Sequence, residues 1–318
     1  MLAFLLVIAV TIVLQHSLIA ATMLAGFFSL LMALVFVLLD AVDVAFAEAA
    51  VGAGITAMLL LGTLGLVGAD ERVTRRRPWL PLAVTFAAAA MLVYGTLDLP
   101  LLGDPQAPAY THVAPYYLEF GAIETGVPNF VTAVLASYRG YDTLGELFVI
   151  LTAGLGVLAM LGLRGAGSGS HAGGEGEISM THHPILRVIA KLLIPFILLF
   201  ALYVQFHGES GPGGGFQAGV LFAAAFILYA MVYGASNARR VVSAPMLYML
   251  MAAGVLLYAG TGLASLWYGA NFLDYGVFAG DFVSGQLVGI FLVELGVGIA
   301  VAATMITIYL AFAERRVE

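Results

Sequence analysis

Residues 289–308 read GIFLVELGVGIAVAATMITI. The stretch carries one charged group, Glu294, among aliphatic, aromatic, small and hydroxyl side chains. A helix needs about 20 such residues to cross a bilayer core of about 30 Å. The stretch therefore reads as the middle of a transmembrane helix over 284–312. The same test along the 318 residues marks spans at roughly 2–20, 23–40, 45–68, 79–97, 143–163, 186–206, 215–235 and 246–268. The expected fold is an all-α integral membrane protein of about nine transmembrane helices. Composition agrees, with 62% hydrophobic and 10% charged residues, whereas soluble chains are about half apolar and a quarter charged.

Charge placement orients the spans. Arg72, Arg75, Arg76, Arg77, Arg164, Arg187, Lys191, Arg239, Arg240, Arg315 and Arg316 all fall on one face if the spans alternate, and Arg139 falls on the other. Basic residues collect on the cytoplasmic side, which predicts an N-terminus outside and a C-terminus inside. The formal net charge of −7 leaves no basic stripe for nucleic acid. The absence of cysteine excludes disulfides and thiol chemistry. The apolar run after Met1 has no basic leader and outlasts a signal core, so no cleavable signal is expected.

Two interruptions divide the chain. Residues 98–142 are polar and hold Pro100, Pro105, Pro108, Pro115 and Pro128, with a short interfacial helix expected around 127–138. Residues 165–181, GAGSGSHAGGEGEISMT, form a flexible Gly/Ser stretch. The expected organisation is a first module over 1–165 with about five spans, a linker over 166–183, and a second module over 184–318 with about four.

Acids inside apolar spans cost several kcal/mol on insertion scales, so each is a functional candidate. LLDAVDVAFAEAAVGAGITA at 38–57 places Asp40 and Asp43 three residues apart and Glu48 at the expected start of the third span. They are either solvated turn residues or groups within helix ends. In NFVTAVLASYRGYDTLGELFVILTAG, Arg139 and Asp142 flank a glycine and Glu146 lies one turn inside the expected helix. The dipole at a helix start favours both acids, so they are equally read as capping charges or as part of a polar path. QFHGESGPGGGFQAG at 205–219 sets His207, Glu209 and Gln217 around glycines suited to close helix packing. It lacks the Lys-Ser/Thr of a phosphate loop. Glu294 has no Lys or Arg within a turn or two and no helix end of its own span nearby, so it should be neutral, paired with a neighbouring chain, or beside water. His16 in the first span is either an interhelical hydrogen-bonding group or a proton relay. His182 and His183 are too few for a metal site, and no metal or cofactor is expected.

These motifs carry a resemblance. DAVDVAFAEAAVGAGI and NFVTAVLASYRGYDTLGE resemble the carboxy-terminal region of the large A subunit of Mrp-type multisubunit Na⁺/H⁺ antiporters and the matching small subunits of membrane-bound hydrogenases. HGESGPGGGFQAG and GIFLVELGVGIAVA resemble the B subunit of the same antiporters. The resemblance implies an A-tail/B fusion in a complex related to the membrane arm of respiratory complex I, in a bacterial or archaeal cell membrane. Its partners would be large antiporter-like subunits, lipid, Na⁺ and H⁺, with no nucleic acid. Carried over residue by residue, Asp40, Asp43, Glu48 and Glu146 would be ion-path acids, and Glu294 joins them on its own burial. The implied activity is secondary ion transport rather than enzyme catalysis. A membrane component of an ion-translocating hydrogenase or related redox complex is the alternative, and a structural scaffold role is the third.

Overall fold

A computed structural model describes residues 1–71, 79–101, 103–161 and 184–315. The Gly/Ser linker with His182 and His183, the arginines at 72–77, Arg164 and Arg316 lie outside the described residues. The described residues are mainly helical, and eight of their helices are long and apolar enough to cross a membrane. In chain order the first elements are α1 (Leu2–Leu14), α2 (Leu18–Leu38), α3 (Val42–Glu48), a π-helical segment (Ala49–Thr56), α4 (Ala57–Val67) and α5 (Trp79–Thr96). Then follow α6 (Pro108–Thr111), α7 (Val113–Thr125), α8 (Phe130–Thr132), a second π segment (Ala133–Tyr138) and α9 (Gly140–Leu161). The last are α10 (Pro184–His207), α11 (Gly215–Tyr233), α12 (Ala235–Val241), α13 (Ala244–Trp267), a 3₁₀ turn (Tyr275–Phe278) and α14 (Phe282–Arg315).

All nine expected spans have helices, but the first is short. α1 has 13 residues, about 20 Å of helix, against a bilayer core of about 30 Å. It stops at Gln15, whose backbone is extended, and Ser17 restarts the chain by accepting from Ala20 N–H at 3.4 Å. Ser is a favoured N-cap because its hydroxyl satisfies a helix-start N–H. The break is then pinned to the far end of α4: Leu18 N–H donates to Ala69 O at 2.8 Å and Glu71 N–H to His16 O at 3.0 Å. The third span differs in the other direction. It starts at Val42 and runs through Glu48 without interruption, so Glu48 lies nearly two turns inside a helix rather than at its start.

The core sits around α14, which packs against α13, α11, α9 and the 3₁₀ turn. Close approach comes from glycine. A Cβ on Gly219 of α11 would stand 2.6 Å from Gly298 O, and one on Gly254 of α13 would stand 2.5 Å from Gly296 O. Without a hydrophobic drive between helices in lipid, such backbone contact supplies the packing energy. By contrast, α5 has no buried residue.

Candidate functional site

α3 delivers Asp43 in its first turn to the 208–214 loop, which enters α11. Asp43 Oδ1 accepts from Gly213 N–H at 2.9 Å and from Asn129 Nδ2 at 3.4 Å. Asn129 Nδ2 also reaches Gly208 O at 3.0 Å and Gly211 O at 2.8 Å, while its Oδ1 caps α8 through Val131 N–H at 2.9 Å. Thr132 Oγ1 donates to Gly208 O at 2.9 Å. Asp43, Asn129 and Thr132 thus clasp the glycine loop across 76 to 170 residues of sequence.

Behind this clasp lies a cavity of about 270 Å³ whose wall includes Asp43, Glu146, Gln217, Thr132, Thr143 and Glu294. Three of the five expected ion-path acids therefore share one chamber. Glu294 Oε1 would lie 3.0 Å from a Cβ on Gly214, the N-cap of α11. The positive end of α11 therefore faces this carboxylate, a dipole partner that reading α14 alone does not reveal. Tyr258 closes the chamber and donates to Gly140 O at 2.8 Å; Tyr275 donates to Ala136 O at 3.0 Å. Both carbonyls belong to the chain around the second π segment. Such π segments recur at functional sites, and here one carries Ala136 of the chamber wall and the other follows Glu48.

The remaining candidates lie elsewhere. Asp40 is exposed in the α2–α3 turn with φ of 60°, a left-handed conformation that Asp tolerates better than most residues. Glu48 faces α2: its Oε1 and Ser29 Oγ both crowd the side of Gly52 that lacks a Cβ. Arg139 Nη2 pairs with Asp142 Oδ2 at 2.5 Å, both exposed, at the start of α9. Glu146 is exposed to the chamber side, seven residues into α9. His207 stacks on Tyr203 with 4.8 Å between ring centroids. Glu209 sits half-buried in the loop, and burial pushes its carboxyl above the usual range. The side chain of His16 lies at the α1–α2 break. Among the described residues no three His, Asp or Glu side chains gather as a metal site.

Sequence reasoning missed Asn129, Thr132 and Tyr258. Asn129 carried a signal, since Asn ahead of an apolar run is a helix N-cap. It also missed a carboxylate held by two tyrosines. Tyr138 donates to Glu124 Oε2 at 2.5 Å and Tyr116 to Oε1 at 2.7 Å. Tyr138 first and Tyr116 next hold the Glu124 carboxyl below its usual range.

The family model described as a domain related to the MnhB subunit of a Na⁺/H⁺ antiporter matches residues 185–307. Models described as MBH subunits D and E match residues 3–68 and 74–168. A Rhizobium meliloti protein named as the probable A/B subunit of a K⁺/H⁺ antiporter is 28% identical, with 94% of this chain and 32% of that protein covered. A Staphylococcus haemolyticus protein named as antiporter subunit mnhB2 is 32% identical, with 40% of this chain and 92% of that protein covered. Among solved structures, a chain of the Mrp complex from Dietzia sp. superposes with a TM-score of 0.73 at 28% identity, over 96% of this chain and 34% of that one. A chain of an archaeal respiratory membrane complex, the membrane-bound sulfane sulfur reductase, gives 0.53 at 30% identity, over 72% and 94%. The chain spans about a third of the length of the Rhizobium and Dietzia proteins.

Proposed function

Starting from the fact that the chain belongs to the MnhB-related family of Na⁺/H⁺ antiporter subunits, joined to a stretch that matches MBH subunits D and E, we propose that it is a membrane subunit of a multisubunit monovalent cation/proton antiporter. It is a multi-pass protein of a prokaryotic cell membrane. In this reading it serves a transporter and is not an enzyme. The first module covers 1–165 and the second 184–318, with the N-terminus outside and the C-terminus cytoplasmic. Large antiporter-like subunits are its partners.

One observation carries the proposal: Asp43, Glu146 and Glu294 line a single chamber built from both modules. In this reading the three carboxylates are seats for a proton or a hard cation, since oxygen ligands are what a dehydrating Na⁺ or K⁺ requires. Competition of H⁺ and cation for the same oxygens is the elementary step of exchange. Asp40 and Glu48, which lie outside the chamber wall, are further acids of the cation path in this reading.

The test measures Na⁺- and K⁺-driven ΔpH in everted vesicles carrying the full complex. Asp43→Asn, Glu48→Gln, Glu146→Gln and Glu294→Gln should each lose most of the exchange at normal assembly on native gels. Glu294→Gln should be the mildest, since an amide imitates a protonated acid. Parental exchange in all three chamber variants would overturn the proposal. The likeness to the sulfane sulfur reductase chain supports a second reading, in which the chain belongs to a redox-driven ion pump. Purification in mild detergent separates the two, because redox subunits co-purify only in that case.

A further inference from the structure

The polar groups of the chamber divide by what they can donate. On one side, a Cβ on Gly214 would stand 3.0 Å from Glu294 Oε1 and 3.7 Å from Gln217 Oε1. The start of α11 and the Gln217 amide thus bring donors to the Glu294 carboxylate. The other side holds Glu146 and Thr143, three residues apart on one face of α9, with Tyr258 of α13. The Tyr258 hydroxyl lies within electrostatic reach of both Glu146 and Glu294.

On this second side the hydroxyls have no proton to offer. A Thr or Tyr hydroxyl carries one proton, and a backbone carbonyl can only accept. Thr143 donates to Leu135 O at 2.7 Å and Tyr258 to Gly140 O at 2.8 Å. Tyr275, which does not line the chamber, donates to Ala136 O at 3.0 Å. Leu135 and Ala136 belong to the second π segment, near a helix end where carbonyls need outside partners. The three hydroxyl oxygens nevertheless meet. A Cβ on Gly140 would stand 3.4 Å from the Tyr275 oxygen and 3.5 Å from that of Tyr258. Thr143 and Tyr275 are both within hydrogen-bonding reach of the Tyr258 hydroxyl, and Tyr258 is 0% exposed. Lone pairs therefore converge beside Glu146 with no proton among them. Such a set suits an occupant that is positive and brings no lone pair of its own. No Lys or Arg is among the described residues of the wall to fill that role.

We propose that Thr143 Oγ1 and Tyr258 Oη are neutral ligands that, with the Glu146 carboxylate, seat the dehydrated alkali cation. The proposal rests on the antiporter reading above and adds to it the uncharged half of the coordination shell. Oxygen dipoles replacing hydration water are what a bare Na⁺ or K⁺ needs beside a carboxylate.

The experiment titrates everted vesicles carrying the full complex with NaCl and, separately, KCl, while ΔpH is followed. Thr143→Val and Tyr258→Phe each remove one oxygen. Each should raise the half-saturating cation concentration about tenfold, with the maximal rate per assembled complex retained. Thr143→Ser, which puts the oxygen back, should reverse most of that rise. Tyr275→Phe also frees a carbonyl, but from outside the wall. It should lower the thermal midpoint without moving the half-saturating concentration. Three results would overturn the seat. Unchanged half-saturation in Thr143→Val and Tyr258→Phe, with exchange lost in Glu146→Gln, would place water rather than cation among these oxygens and leave the antiporter reading standing. An equal rise in Tyr275→Phe would trace the shift to packing. Parental exchange in Asp43→Asn, Glu146→Gln and Glu294→Gln alike would remove the antiporter reading and the seat together.

Discussion

Asp43 shows how one carboxylate can be both joint and ligand. Its Oδ1 holds Gly213 N–H, and the same side chain faces the chamber. An amide oxygen can keep that hydrogen bond while removing the charge. Asp43→Asn should therefore keep its thermal midpoint and lose exchange, whereas Asp43→Ala should lose both, with about 1–3 kcal/mol of stability lost through the orphaned N–H. Asn129→Ala removes the α8 cap as well as the loop contacts. The cap alone is worth about 1 kcal/mol, so its midpoint should fall below that of Asp43→Asn. Glu124 behaves differently because its lowered pKa ties it to pH. A carboxyl lowered in the folded state stabilises above its unfolded value, about 4.3, and that contribution is lost as pH falls through the lower folded value. The midpoints of parent and Glu124→Gln should differ at neutral pH and converge in acid.

At the level of elements, the spans were legible because bilayer thickness imposes a length and lipid imposes a composition. Both can be counted in a sequence. Residues such as Glu294 stood out for the same reason. What the sequence did not reveal were pairings between helices: that α11 points its positive end at Glu294, or that Asn129 reaches Gly208 and Gly211. No local pattern encodes them, since each joins residues far apart in the chain. The π segments escaped too, because their composition matches that of the α-helices around them. The break after α1 was legible in principle, as Gln15-His16-Ser17 is a polar triplet ending in a cap residue. The same distinction predicts where packing fails. Gly219→Leu forces a side chain into Gly298 O, and overpacking of this kind costs about 1–3 kcal/mol. Gly95→Leu on α5 meets nothing within 4 Å and should leave the midpoint unchanged.

Among the described residues, the two halves meet through the clasp, the chamber and the packing of α9 against α13 and α14. Residues 1–169 and 170–318 expressed as separate chains should therefore restore exchange to a deletion strain, with both halves at normal levels. Complementation that requires the intact linker would show that it does more than tether. The isolated full chain in liposomes should show no Na⁺- or K⁺-dependent ΔpH change, since no lysine stands mid-span to relay protons. Robust exchange by the chain alone would refute that expectation.

The clasp also sets a clock on biosynthesis. Asp43 and Gly213 are 170 residues apart, and a ribosome adding roughly 5–20 residues per second needs about 10–30 s to bridge that distance. Asn129, 86 residues after Asp43, is made about halfway through that interval, while the glycine loop they both hold is still in the future. The nascent first half must wait with its polar groups satisfied by water at the membrane surface or by the insertion machinery. The closing of the chamber is thus among the last events of synthesis.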